Sequence, residues 1–160
     1  MIVGLGLILA GRVTAQTFTN LQSFSYTDGS HPYAKLFLLG NTMYGTASGG
    51  GGSGQGTVFA VNTNGTGFTS LYSFNGTDGA NPTAALILSS NSFYGTTFYG
   101  GSSGQGTVFA INTNGAGFTN LHSFKGSDGA RPYAELILSG NTLYGTTAGG
   151  GSSDNRGWSP

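Results

Sequence analysis

Apolar and polar residues alternate along this chain in short runs that never reach helical length. Between Phe68 and Gly117 four such runs occur. Phe68–Phe74 is closed by Asn75-Gly76-Thr77-Asp78-Gly79, a turn sequence, and Pro82 fixes the re-entry of the chain. Ala84–Leu88 sets Ala84, Leu86 and Leu88 at every second position, the strand period. Ser89-Ser90-Asn91, with Gly-Asn in the neighbouring copies, predicts a hairpin into a third strand, Ser92–Thr97. The glycine-rich loop Gly100–Gly106 leads to a fourth strand, Thr107–Asn112, after which Asn114-Gly115 is expected to turn the chain toward the next copy. The fold class this predicts is all-β.

The same pattern returns every fifty residues, at Phe18, Phe68 and Phe118, defining units 18–67, 68–117 and a truncated 118–160. Residues 18–67 align with 68–117 without a gap at 31 identities in 50, and 68–103 with 118–153 at 24 in 36. A constant period without insertions means that each unit is one supersecondary element of a regular array. Four strands in about fifty residues describe a propeller blade. The runs LFLL, ALIL and TVFAV are apolar on both faces, so each sheet is expected to be covered on both sides. The expectation is a β-propeller-like array of four-stranded blades that is incomplete, at under three blades. The last unit leaves the pattern, with GSSGQGTVFA replaced by Gly151-Ser152-Ser153-Asp154-Asn155-Arg156-Gly157-Trp158-Ser159-Pro160. Since propellers usually close with four to eight blades, the chain reads as a fragment of a longer propeller, with self-association through open blade edges as the alternative.

The repeated elements Tyr44-Gly45-Thr46, Tyr94-Gly95-Thr96-Thr97 and Tyr144-Gly145-Thr146-Thr147, with Gly56-Thr57-Val58-Phe59 and Gly106-Thr107-Val108-Phe109, succeed one another in fixed order from Phe18 to Ser153. This unit resembles the GloVer repeat of tandem-repeat bacterial proteins. The resemblance implies a propeller-like β array outside the cytoplasm, and it implies no enzymatic activity, catalytic residue or cofactor.

Composition narrows the chemistry. Only ten residues are charged, five basic and five acidic, for a net charge of zero. A nucleic-acid binder needs a basic stripe, and an anionic-membrane binder a Lys/Arg cluster; neither is present. There is no Cys, hence no disulfide, thiolate nucleophile or Cys-ligated metal. Gly and Pro together reach 35 of 160, yet 11 Phe and 8 Tyr argue for a folded chain with glycines in turns. The apolar run 2–11, with Val13-Thr14-Ala15 after it, predicts a signal peptide over 1–15 and a repeat domain over 16–160, secreted or displayed at the cell surface. The run is too short to span a bilayer.

Asp28, Asp78 and Asp128 recur before glycine and are read as turn caps ahead of a carboxylate ring for calcium or sugar. The loops Gly49–Gly56 and Gly100–Gly106 lack the Lys-Ser/Thr of a phosphate cradle and read as connections. His31 and His122 fall at different places in their units and read as incidental. Tyr44, Tyr94 and Tyr144 are assigned to packing between blades, with sugar stacking as the alternative. No catalytic, cofactor-binding or metal residue is assigned, and no cofactor. Three sets of positions vary on the fixed frame: Gln22/Tyr72/His122, Lys35/Ala85/Glu135 and Ser48/Phe98/Ala148. They suggest a recognition face for an unidentified protein or glycan, and so a non-enzymatic scaffold or recognition module. The rivals are a carbohydrate-binding module or part of a carbohydrate-active enzyme. An enzyme needs two cooperating carboxylates, and only Glu135 and Asp154 break the repeat.

Overall fold

A computed structural model describes residues 20–151; the expected signal peptide, Phe18 and Asp154 lie outside them. The described residues are all-β, with no helix, so none is long and apolar enough to cross a membrane. Strands β1 (Phe37–Leu39), β2 (Thr42–Ala47), β3 (Thr57–Asn62) and β4 (Thr69–Ser73) form one antiparallel meander. Strands β5 (Ile87–Ser89), β6 (Ser92–Thr97), β7 (Thr107–Asn112) and β8 (Thr119–Ser123) repeat it. A third sheet holds β9 (Ile137–Ser139) and β10 (Thr142–Tyr144).

The third and fourth expected strands, Ser92–Thr97 and Thr107–Asn112, are found at those residues. Two expectations differ. The strand expected to open each unit instead closes the sheet of the unit before it, since β4 pairs with β3 and β8 with β7. Asn64-Gly65 and Asn114-Gly115 therefore turn the chain within a sheet, and the Asn75–Gly79 turn carries it to the next. The strand expected over Ala84–Leu88 is Ile87–Ser89, because Ala84 is engaged elsewhere: its carbonyl accepts the Thr46 hydroxyl of the preceding sheet at 3.1 Å.

Side-chain alternation explains how the sheets meet. In β2 and β3, Tyr44, Thr46, Val58 and Ala60 point to one face, and Met43, Gly45, Phe59 and Val61 to the other, as the period of two requires. The first face packs on the second sheet: Tyr44, Val58 and Ala60 share a core with Phe74, Leu86, Phe93, Phe109 and Ile111. The Tyr44 and Phe93 rings lie 4.6 Å apart and Phe37 and Phe93 5.5 Å apart. The opposite face of the first sheet has its own cluster, Phe59 with Phe24 at 5.0 Å and Phe68 at 5.8 Å. Glycine is needed in mid-strand at Gly45 and Gly95 because a Cβ there would come within 2.7 Å of the Phe59 or Phe109 ring.

A second joint ties the units at one end of the sheets. The Asn81 N–H donates to the Gln55 carbonyl at 2.8 Å, and the Arg131 N–H to that of Gln105 at 2.7 Å. The adjoining prolines, Pro82 and Pro132, are buried against Gly56 and Gly106 of the unit before, whereas Pro32 is exposed.

The two-residue hairpins Gly40-Asn41, Ser90-Asn91 and Gly140-Asn141 each hold the first residue at positive φ, between 54° and 59°. Glycine meets this demand freely, and serine does not. Ser90→Gly should therefore raise stability by up to about 1 kcal/mol, relief of left-handed strain exceeding the entropy glycine adds to the unfolded chain. Chemical denaturation should show a higher midpoint at unchanged slope.

Candidate functional site

The loops between the second and third strands of each sheet, and the connectors that enter the sheets, meet at one end. The bridges Ser30–Gly49, Ala80–Tyr99 and Ala130–Gly149 hold them side by side. The repeated aspartates lie here as turn caps. The Oδ1 atoms of Asp28, Asp78 and Asp128 accept the N–H of Ser25, Asn75 and Lys125 at 2.8, 3.0 and 2.8 Å.

The second carboxylate oxygen is free to meet the variable position six residues earlier, a pairing with no signature in the sequence. The Tyr72 hydroxyl donates to Asp78 Oδ2 at 2.6 Å, and His122 Nε2 lies 3.0 Å from Asp128 Oδ2. Gln22 instead donates its amide to the Ser23 carbonyl. Two residues on either side of a turn of fixed length explain the meeting; no short motif marks it. Burial, then the bond to Asp78, holds the Tyr72 phenol well above its ordinary range. The Lys125 N–H first, with His122 adding to it, holds the Asp128 carboxyl below its ordinary value.

The signs are opposite. A raised phenol contributes stability in full below its unfolded value near 10, and that contribution fades as pH rises beyond it. A lowered carboxyl contributes fully above about 4 and loses its share as pH falls through the still lower folded value. Melting temperature should therefore drop more steeply above about pH 10 in the native chain than in Tyr72→Phe. Equal alkaline slopes would dissociate Tyr72 from that loss.

His122 and Asp128 form a dyad that could orient an imidazole, but both are substantially exposed and no serine or threonine hydroxyl bonds to the ring among the described residues. His31 bonds the Ser30 hydroxyl and packs on Tyr33 at 5.7 Å. Among the described residues no three His, Asp or Glu side chains gather. The amides of the glycine loops are spent on main-chain carbonyls: Gly54 donates to Gly51 and Gly56 to Gly50 within the loop, and Gly51 to Tyr26 of the connector, with Gly104, Gly106 and Gly101 (to Gly76) repeating the scheme. Those N–H groups are not available to cradle an anion.

The three tyrosines differ by the sheet that covers them. Tyr44 is buried by Phe93 of the second sheet, Tyr94 is half-buried, and Tyr144 is exposed. Asp, Gly, Pro82, Pro132 and Tyr44 of the repeated frame are thus engaged in turns and joints. Of the variable residues, Tyr72 is bonded to Asp78 and Ser48 is buried with its hydroxyl on the His31 carbonyl, while Phe98 reaches the rim.

The rim is aromatic. Phe98 and Tyr99 lie edge to face at 4.6 Å, Tyr133 approaches Phe98 at 5.9 Å, and the Arg131 guanidinium sits 5.9 Å over the Tyr99 ring. Tyr99 is 44% and Tyr133 62% exposed. Of these, only Phe98 belongs to the three variable sets read from the sequence; Lys35, Ala85 and Glu135 lie on the connectors with no partner of this kind. The available signal was that Phe98-Tyr99 replaces Ser48-Gly49 and Ala148-Gly149, two aromatics where the other copies have small residues.

Residues 4–158 match the family model described as the Gloeobacter/Verrucomicrobia repeat. No curated protein matches the chain.

Proposed function

Because the chain belongs to the Gloeobacter/Verrucomicrobia repeat family, we propose that it is an exported, non-enzymatic repeat protein whose sheets are propeller-like blades. Its role is that of a scaffold or recognition module at the cell surface or beyond it. The observation that carries this reading is the division of labour at the loop end. Repeated residues are consumed by turns and joints, while Tyr99, Arg131 and Tyr133, at positions that differ between copies, collect with Phe98 on the accessible rim. A fixed frame presenting variable side chains suits recognition. The net charge of zero turns the partner away from nucleic acid and toward a neutral surface.

The Phe98, Tyr99 and Tyr133 cluster favours a second, narrower reading, a glycan-binding rim, because aromatic faces stack on sugar rings while Arg131 supplies donors. Glycan-array binding by the intact chain, compared with Tyr99→Ala/Tyr133→Ala, tests both. Loss of a glycan signal at unchanged melting temperature supports the glycan rim. No glycan signal leaves a protein partner as the reading. Expression with subcellular fractionation checks export, with a mature N-terminus at Gln16 as the expected product; an uncleaved chain retained in the cytoplasm overturns it.

A further inference from the structure

In the first two sheets the central glycine of the second strand is covered by a phenylalanine from the third. Gly45 pairs with Phe59 and Gly95 with Phe109, and in both a Cβ at the glycine would meet the ring Cζ at 2.7 Å. Gly145 is the equivalent residue of the third unit. There, among the described residues, a Cβ would meet Leu136 Cδ2 at 2.6 Å and no ring.

A cleft of about 270 Å³ occupies this place, lined by Leu136, Leu143, Gly145 and Phe124 of the third unit and by Val108 of the second sheet, with Thr96, Thr147 and Asp128 as its polar lining. An apolar cavity of about 150 Å³ is enough to take benzene. The counterparts of Phe124 and Leu136 are Phe74 and Leu86, which in the second sheet share a core with Phe109, at 5.2 Å in the case of Phe74.

Two hydroxyls mark the same vacancy. Thr96 is 1% exposed and its Oγ1 has no partner among the described residues, although the equivalent Thr46 donates to the Ala84 carbonyl across the joint. Thr97 donates to the Tyr99 carbonyl at 2.9 Å and also meets the Thr107 hydroxyl of the neighbouring strand at 2.8 Å; Thr147 keeps the first bond, to Gly149, and among the described residues has no counterpart of the second. Strand β10 itself ends at Tyr144, three residues short of its counterparts Ala47 and Thr97, and among the described residues nothing pairs with its outer edge.

We propose that this edge is a docking site for an extended strand of another polypeptide with the pattern Thr-Val-Phe-Ala. The strand adds antiparallel to β10 and its continuation, with phenylalanine over Gly145, valine opposite Thr146 and threonine opposite Thr147. Main-chain bonds supply affinity and the ring pocket supplies selection, as in other strand-addition complexes. The occupied slots over Gly45 and Gly95 define the register and the side chain that fits.

The test titrates the intact chain with the synthetic peptide Gly-Thr-Val-Phe-Ala-Ile-Asn and tracks backbone amide shifts. Saturable binding with shifts centred on 142–147 is expected. Replacing the peptide phenylalanine by alanine should weaken binding about thirtyfold or more, the factor for a buried aromatic anchor. On the protein side, Gly145→Val should block the phenylalanine peptide. Its φ is not left-handed, and the nearest obstacle among the described residues is the terminal methyl of Leu136, a side chain beside the cleft; an unchanged melting profile of the variant checks that it remains folded. Absence of binding, equal binding of both peptides, or indifference to Gly145→Val overturns the proposal. So does either of two rival occupants: residues 152–160 protecting the β10 amides before peptide is added, or a concentration-dependent dimer showing the same shifts.

Discussion

Phe93→Ala should remove about 3–5 kcal/mol of stability, a large share of the roughly 5–15 kcal/mol a domain has. Phe93 is fully buried where two sheets meet, with the rings of Phe37 and Tyr44 arriving from the first sheet. Removing it opens a cavity between two units that neither can close by itself, because each backbone is held by its own ladder. The repeat provides an internal control. Leu143 holds the same place in the third unit but is only half-buried, with the cleft beside it. Leu143→Ala should cost about 1–2 kcal/mol, below the usual cost of a fully buried leucine. Urea denaturation of the two variants decides the matter. Equal losses would show that the sheet-to-sheet face is not a principal source of stability.

Gly106→Ala is expected to be nearly as damaging, by a different route. Its φ is +100°, and a Cβ would stand 2.5 Å from the Thr97 carbonyl oxygen and 2.6 Å from Pro132 Cδ. Left-handed strain contributes about 1–2 kcal/mol and forced movement of packed atoms a further 1–3 kcal/mol, roughly. Gly104, two residues earlier, has φ of +71° and open space around the same direction. Gly104→Ala isolates the strain, and the difference between the two variants measures the close packing of Gly106 against the Thr97 carbonyl and Pro132. If the two alanines cost the same, the close approach at Gly106 contributes nothing measurable to stability.

The fold was legible where the information is local. Ser92–Thr97 and Thr107–Asn112 are bounded by Asn91 and by the glycine loop, and both ends could be read directly. Sheet membership was harder, since a periodic pattern has no intrinsic starting point. The deciding clue is connection length. Only six residues separate β3 from β4, a hairpin distance, whereas thirteen lie between β4 and β5. The register shifts between Val58 and Phe59, and between Val108 and Phe109, left no mark in the pattern. At the loop end, capping by Asp78 came directly from Asp-Gly chemistry. Its second bond, to Tyr72, did not, because it joins a strand to the turn beyond it. The rim aromatics were visible only as departures from the repeat at Phe98 and Tyr99.

The offset between repeat unit and sheet has a genetic corollary. Both four-stranded sheets draw their last strand from the opening of the next copy, and a duplicated or deleted stretch of gene one period long restores the same strand order whatever its phase. Unequal crossing-over can thus lengthen or shorten the array without creating a misfolded junction. Lineages can try different numbers of sheets while point mutations at the rim proceed independently.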